Sequence, residues 1–279
     1  LVLEKYSIGS KIILLTLFAV LFFMVLRYVT KLFEMAYVIK HKRPLYTHFY
    51  IFKRKLSLSQ KSILKKKFTF YNKLPFQYQV YFEHRLASFI KDKDFLGRQG
   101  VIVTEEMKVL ISATAVMLTF GFRDFYIGLI SKIVIYPKEF YSKSNNAYHK
   151  GEFNPKFRAL VLSWKDFEKG FEDGKDNLNL GIHEFTHAIH LNSIKERDVS
   201  STIFSDSFKE LSEILSRHEY LREALISSEY FRRYAFTNQF EFLAVAIESF
   251  IETPHEFKSQ FPRVYNKVKQ MLNFNFAGY

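Results

Sequence analysis

From Ile12 to Leu26 the chain reads IILLTLFAVLFFMVL, fifteen residues with a single hydroxyl. As a helix this run is about 22 Å long, short of a bilayer core of about 30 Å. Arg27 can snorkel, so Tyr28 and Val29 extend the span to about 27 Å, and Lys11 marks the other edge. No small-x-small cleavage site follows, which argues against a removed signal peptide. The pattern predicts a retained transmembrane helix within an anchor at 1–34. Lys5 and Lys11 precede the span, whereas Arg27, Lys31, Lys40, Lys42 and Arg43 follow it. That excess predicts a single pass with the C-terminal bulk in the cytoplasm.

Beyond residue 74 the periodicity changes. LPFQYQVYFEHRLASFIKDKDF (74–95) and TEEMKVLISATAVMLTFGF (104–122) place apolar residues at helical spacing. Thr104 is a fitting N-cap, with Glu105 and Glu106 in the first turn. KIVIYP (132–137) and FRALVLSW (157–164) read as strands. KDFEKGFEDGKDN (165–177) reads as a surface loop, and everything from 203 onward reads as helix. The expected architecture is α+β: a mostly helical domain with a small sheet over 74–279, a linker over 35–73, and the membrane helix.

Composition adds two constraints. Phe (32) and Tyr (17) must dominate the core, and there is no cysteine. A disulfide scaffold and a thiolate-bound metal are therefore excluded. The net charge of +13 is local: residues 35–82 hold eleven Lys or Arg and no Asp or Glu, while 83–279 balance at 26 of each sign. Beside an apolar span, this interleaving of bases with aromatics fits anionic membrane lipids better than nucleic acid.

The candidate chemistry lies in NLNLGIHEFTHAIHLNS (177–193). In HExxH the two imidazoles, His183 and His187, share one helix face and can hold one metal. Glu184 is turned about 100° from His183, so its carboxylate reaches a water beside the metal. The competing reading is a core helix with incidental histidines. A hydrolytic zinc needs a third protein ligand, and Glu241, at the start of the apolar EFLAVAIESF, is the best candidate. It could equally be a carboxylate favoured by the helix dipole. Glu248, seven residues on, can reach a ligand histidine from outside the coordination sphere or be a solvated surface residue. His190 shares the face of His183 and is either a further ligand or, the favoured reading, a core histidine packed against the site.

TEEMKVLISATAVML, IVIYPKEF, VLSWKDF, LGIHEFTHAIHL and NQFEFLAVAIESFIETPHEFKSQFPRVYNKVKQ occur here in order. Together they resemble the glucose-regulated zinc metallopeptidases of the Mlc titration factor A type, over roughly 74–275. The catalytic domain of anthrax lethal factor is distantly similar, sharing HEFxH and then a Tyr with a Glu seven positions on, here Tyr234 and Glu241. The resemblance implies a zincin-like fold and one Zn²⁺ per chain on His183, His187 and Glu241. It implies Glu184 as the base and Tyr234 as donor to the oxyanion, with peptide or protein as substrate. It departs at His190, where the family usually has Asp, and it says nothing about the apolar span. The expected activity is that of a membrane-anchored zinc peptidase. The alternative is a regulatory protein that sequesters a partner such as a transcriptional regulator.

Overall fold

The apolar run predicted to span a bilayer lies inside a longer helix, α1 (Ile8–His41), capped where the Ser7 side chain accepts from the Ser10 N–H. The computed structural model describes residues 7–142, 146–172 and 174–279. Lys5, counted above among the flanking charges, lies outside them. The chain divides into two units, 1–45 and 46–279. In the first, α1 is long and apolar enough to cross a membrane, and none of its most apolar stretch is buried.

The second unit begins earlier than the 74 expected from periodicity. α2 (Leu58–Lys67) opens on a capping box between Ser57 and Gln60, and α3 (Thr69–Lys73) follows. Leu64, Phe68, Phe70 and Tyr71 are buried in the main core. The density of lysines hid this, because Lys65, Lys66 and Lys67 are exposed while Leu64 and Phe68 on either side of them, four residues apart, are buried.

α4 (Phe76–Asp92) and α5 (Glu105–Leu118) form the next pair, separated by the short strand β1 (Asp94–Gly97). A four-stranded sheet has the order β1-β2-β6-β5. β2 (Lys132–Tyr136) pairs in parallel with β1 and with β6 (Ala159–Ser163). β5 (Gly151–Asn154) lies antiparallel to β6 on the outer edge. Ile133, Ile135, Leu160 and Leu162 are all buried, so this face of the sheet joins the core. β3 (Phe140–Ser142) and β4 (Ala147–His149) pair antiparallel in a separate two-stranded sheet. β2 and β6 follow the sequence pattern. The other four strands were not legible, being short and without apolar alternation.

The stretch expected as a surface loop is in its first half a helix, α6 (Trp164–Glu172). Ser163 caps it by accepting from the Asp166 N–H (3.3 Å). Trp164 stacks on the buried Phe167 at 5.6 Å, so the charges of this segment occupy only one face. Residue 173 lies outside the described residues. The rest is helical as expected: α7 (Leu180–Lys195), α8 (Val199–Arg217), α9 (Glu219–Ser227), a 3-10 turn (Arg233–Phe236), α10 (Gln239–Glu252), α11 (Pro254–Gln260) and α12 (Pro262–Met271).

One buried cation organises the region between α4 and α5. Arg85 is fully buried. Its guanidinium donates to the carbonyls of Thr119 (2.7 Å), Phe120 (3.1 Å) and Phe122 (2.6 Å), just past the C-terminus of α5. It also donates to the Thr47 carbonyl (3.0 Å) and the Tyr50 hydroxyl (2.6 Å). Carbonyls at a helix C-terminus carry partial negative charge, so they compensate the cation without a carboxylate. Phe125 covers the guanidinium 4.5 Å from its ring centroid.

Two outcomes follow from this packing. A chain starting at residue 46 retains a cooperative melt by circular dichroism. One starting at 74 loses four core side chains, each worth about 1.5–3 kcal/mol, and does not fold within an ordinary stability margin. The second concerns His48, whose ring stacks on Tyr81 at 4.8 Å and has no hydrogen-bond partner at either nitrogen. Burial, aided by the Arg85 charge, lowers its pKa to about 2. The unfolded chain takes up this proton as pH falls through about 6.5, while the folded chain does not until about 2. Stability therefore drops below about pH 6.5. His48→Phe should flatten that acid limb in pH-dependent melting.

Candidate metal centre

α7 starts where the Asn179 side chain accepts from the Ile182 N–H (3.1 Å). Its second residue, Gly181, lies so close to α6 that an added Cβ would sit 2.5 Å from the Phe167 ring. That close approach fixes how near α7 lies to α6. α10 starts in the same manner, with the Asn238 side chain accepting from the N–H groups of Phe240 (2.9 Å) and Glu241 (3.1 Å). The two capped helices bring their first turns together.

His183 Nε2 stands 3.1 Å from His187 Nε2 and 3.0 Å from Glu241 Oε2. His187 Nε2 is 3.6 Å from Glu241 Oε1. These three residues form a group able to hold a metal ion. Ligand atoms bound tetrahedrally at about 2.0–2.2 Å are about 3.3–3.6 Å apart, and the observed spacings bracket that range.

The protonation pattern supports the same reading. Glu248 is buried, and its Oε1 lies 2.7 Å from His183 Nδ1. The Nδ1–H therefore donates to Glu248, which leaves Nε2 as the nitrogen that faces Glu241. Glu241 Oε2 is buried with no hydrogen-bond partner, although it is in contact with that nitrogen. Either a proton on that nitrogen or a divalent cation in its place would satisfy the carboxylate. Burial opposes charge on His183, yet the Glu241 and Glu248 carboxylates outweigh it and lift the imidazole to about 9. Burial likewise works to raise Glu241, but His183 and His187 overcome it and hold the carboxyl below its usual range. The field at this corner favours positive charge.

Glu248 is itself held. It accepts from Arg232 Nη1 (3.0 Å) and Nη2 (2.8 Å) and from the Asn179 N–H (2.9 Å). Arg232 also donates to the Asn177 carbonyl. Glu184 lies beside the group, buried, and burial raises its carboxyl above the usual range. It takes a hydrogen bond from the β5 backbone at Phe153. Gly151, also on β5, has no room for a side chain, since an added Cβ would sit 2.6 Å from Glu184 Cγ. The Tyr234 ring is 6.0 Å from that of His183. Burial, then the Glu241 charge, raise its hydroxyl to about 12.

Of the residues singled out in the sequence, the structure brings together His183, Glu184, His187, Tyr234, Glu241 and Glu248. His190 lies beside this group and is not one of the three metal-binding residues. That ring packs against Phe208 (4.7 Å) and Phe240 (5.0 Å), and burial lowers its pKa to about 4. Sequence reasoning missed Arg232 and Gly151, which carry no local signal. It also missed Asn179, which its capping position could have revealed. β6 is interior to the sheet, and the edge strand at the site is β5.

Two imidazoles and a carboxylate from two helices, with a second carboxylate alongside, are a donor set of the kind that holds the metal of a hydrolase. The family model of the glucose-regulated metallo-peptidase M90 matches residues 45–273, and the chain belongs to that family. It is thus of metallopeptidase class, acting on peptide or protein. An uncharacterized protein of Synechocystis sp., slr2042, is 23% identical over 242 residues, covering 79% of this chain and 85% of that protein.

Zinc titration against a chromogenic chelator should therefore detect one site per chain. Glu241→Ala should abolish it, and Glu248→Gln should weaken it by about 10–100-fold.

Proposed function

We propose that the protein is a membrane-anchored zinc peptidase in which His183, His187 and Glu241 hold one Zn²⁺. The supporting observation is that His183 Nε2, His187 Nε2 and the Glu241 carboxylate oxygens lie 3.0–3.6 Å from one another. When bound there, zinc would polarise the scissile carbonyl and bring the pKa of a bound water toward neutrality. Glu184 would take a proton from the attacking water and return it to the leaving amine. The backbone N–H at Phe153 and the close approach of Gly151 keep that carboxylate in one place. Tyr234 would donate its hydroxyl proton in a hydrogen bond to the oxygen that gains charge. Glu248, fastened by Arg232 and Asn179, would orient His183 so that Nε2 keeps its lone pair.

Anchoring rests on α1, and the charge flanking it supports a cytoplasmic catalytic unit. Phe49, Ile51 and Phe52 are exposed in the run that continues Lys53, Arg54 and Lys55. That mixture supports contact of the 35–82 stretch with anionic lipid.

Glu184→Gln should retain zinc and lower kcat by at least about 10²–10⁴-fold. Tyr234→Phe should lower kcat by about 10²-fold with little change in KM. Hydrolysis of a quenched fluorescent peptide, run beside metal analysis, measures both. Turnover by Glu184→Gln at the parent rate would exclude this mechanism.

A further inference from the structure

Two cavities open onto the His183, His187 and Glu241 group. One, of about 460 Å³, includes His183, Glu184 and Arg232 in its wall and is edged by Glu139, Lys150 and Lys169. The other, of about 380 Å³, takes His187 and Glu241 as part of its wall. Its remaining surface is Phe153, His190, Leu191, Asn238 and Phe240.

β5 contributes Gly151 to the first cavity and Phe153 to the second. Residues two apart on a strand face the same way, about 6.6–6.8 Å from each other. β5 is also the edge of its sheet. An extended peptide paired along it would repeat that spacing and send side chains toward both cavities.

The two cavities differ in chemistry. The first offers charges of both signs. The second offers none beyond the metal-binding residues themselves. His190 is buried among aromatic rings, and the Asn238 side chain is committed to capping α10. Leu191 and Phe240 flank this cavity yet remain 38% and 41% exposed, so each has apolar surface still to cover.

We infer that the second cavity is a specificity subsite that accepts an apolar side chain, aliphatic or aromatic, from the residue directly beside the cleaved bond. Leu191, Phe240 and Phe153 are the residues that select it. A Lys or Asp side chain entering there would lose hydration without gaining a partner. This inference rests on the peptidase reading given above.

The test uses the full chain in detergent micelles and a mixture of peptides from digested cellular protein, with cleavage sites read by mass spectrometry. The expected result is enrichment of Leu, Phe, Ile or Met at one position adjoining the cut, and about 10-fold lower kcat/KM for the matched Lys or Asp peptide. Leu191→Glu should erase that ratio and admit Lys, while its melting temperature stays within a few degrees of the parent. In a readout without turnover, the inert Glu184→Gln chain should bind a fluorescein-labelled Leu peptide about 10-fold more tightly than the Lys peptide, by anisotropy. Cleavage without apolar enrichment on either side of the bond would overturn the subsite. So would enrichment unchanged in both Leu191→Glu and Phe240→Ala. A chain that cleaves nothing beyond the Glu184→Gln background but still discriminates between the peptides in binding would sink the peptidase reading and leave the subsite standing.

Discussion

The Glu248 carboxylate is the constraint on which the site depends. It is a buried anion in the middle of an apolar helix, an expensive placement if left alone. Here each oxygen is satisfied: one by His183 and an Arg232 nitrogen, the other by the second Arg232 nitrogen and the Asn179 backbone. Those bonds join α10 to the entrance of α7 and to the segment before the 3-10 turn. They also decide which nitrogen of His183 carries the proton. Remove the carboxylate and the imidazole loses its orientation, the guanidinium loses its partner and the helix N-terminus loses a tie.

Around this hub the fold delivers geometry by close approach. Gly181 lets α7 rest against Phe167, and Gly151 lets β5 rest against Glu184. Neither position tolerates a side chain without displacement of a neighbour. The site is consequently enclosed by main chain on one side and by two capped helices on the other. Its chemistry comes from fixed side chains with little conformational freedom left to spend.

The sequence disclosed what has a short-range signature. HExxH spacing put His183 and His187 on one face, and the apolar setting of Glu241 marked it as a carboxylate needing compensation. The apolar period revealed β2, β6 and most helices. What remained hidden depends on contacts across long separations. β5 has no alternation of its own and exists because β6 is there to pair with it. Arg232 looks like any surface arginine until Glu248 folds against it. His190 offered a ligand's spacing, but the aromatic rings of α8 and α10 claim it. The lysines of 58–73 suggest a solvated linker because their charge masks the helical spacing of Leu64, Phe68 and Tyr71. The charges of α6 mask its apolar face in the same way.

Arg85 has a mechanical implication. By gripping Thr47, Tyr50 and the tail of α5 at once, it leaves no slack at the beginning of the second unit. Tension or torque entering the polypeptide at residue 46 meets an embedded rivet within a few residues, not a pliable leash.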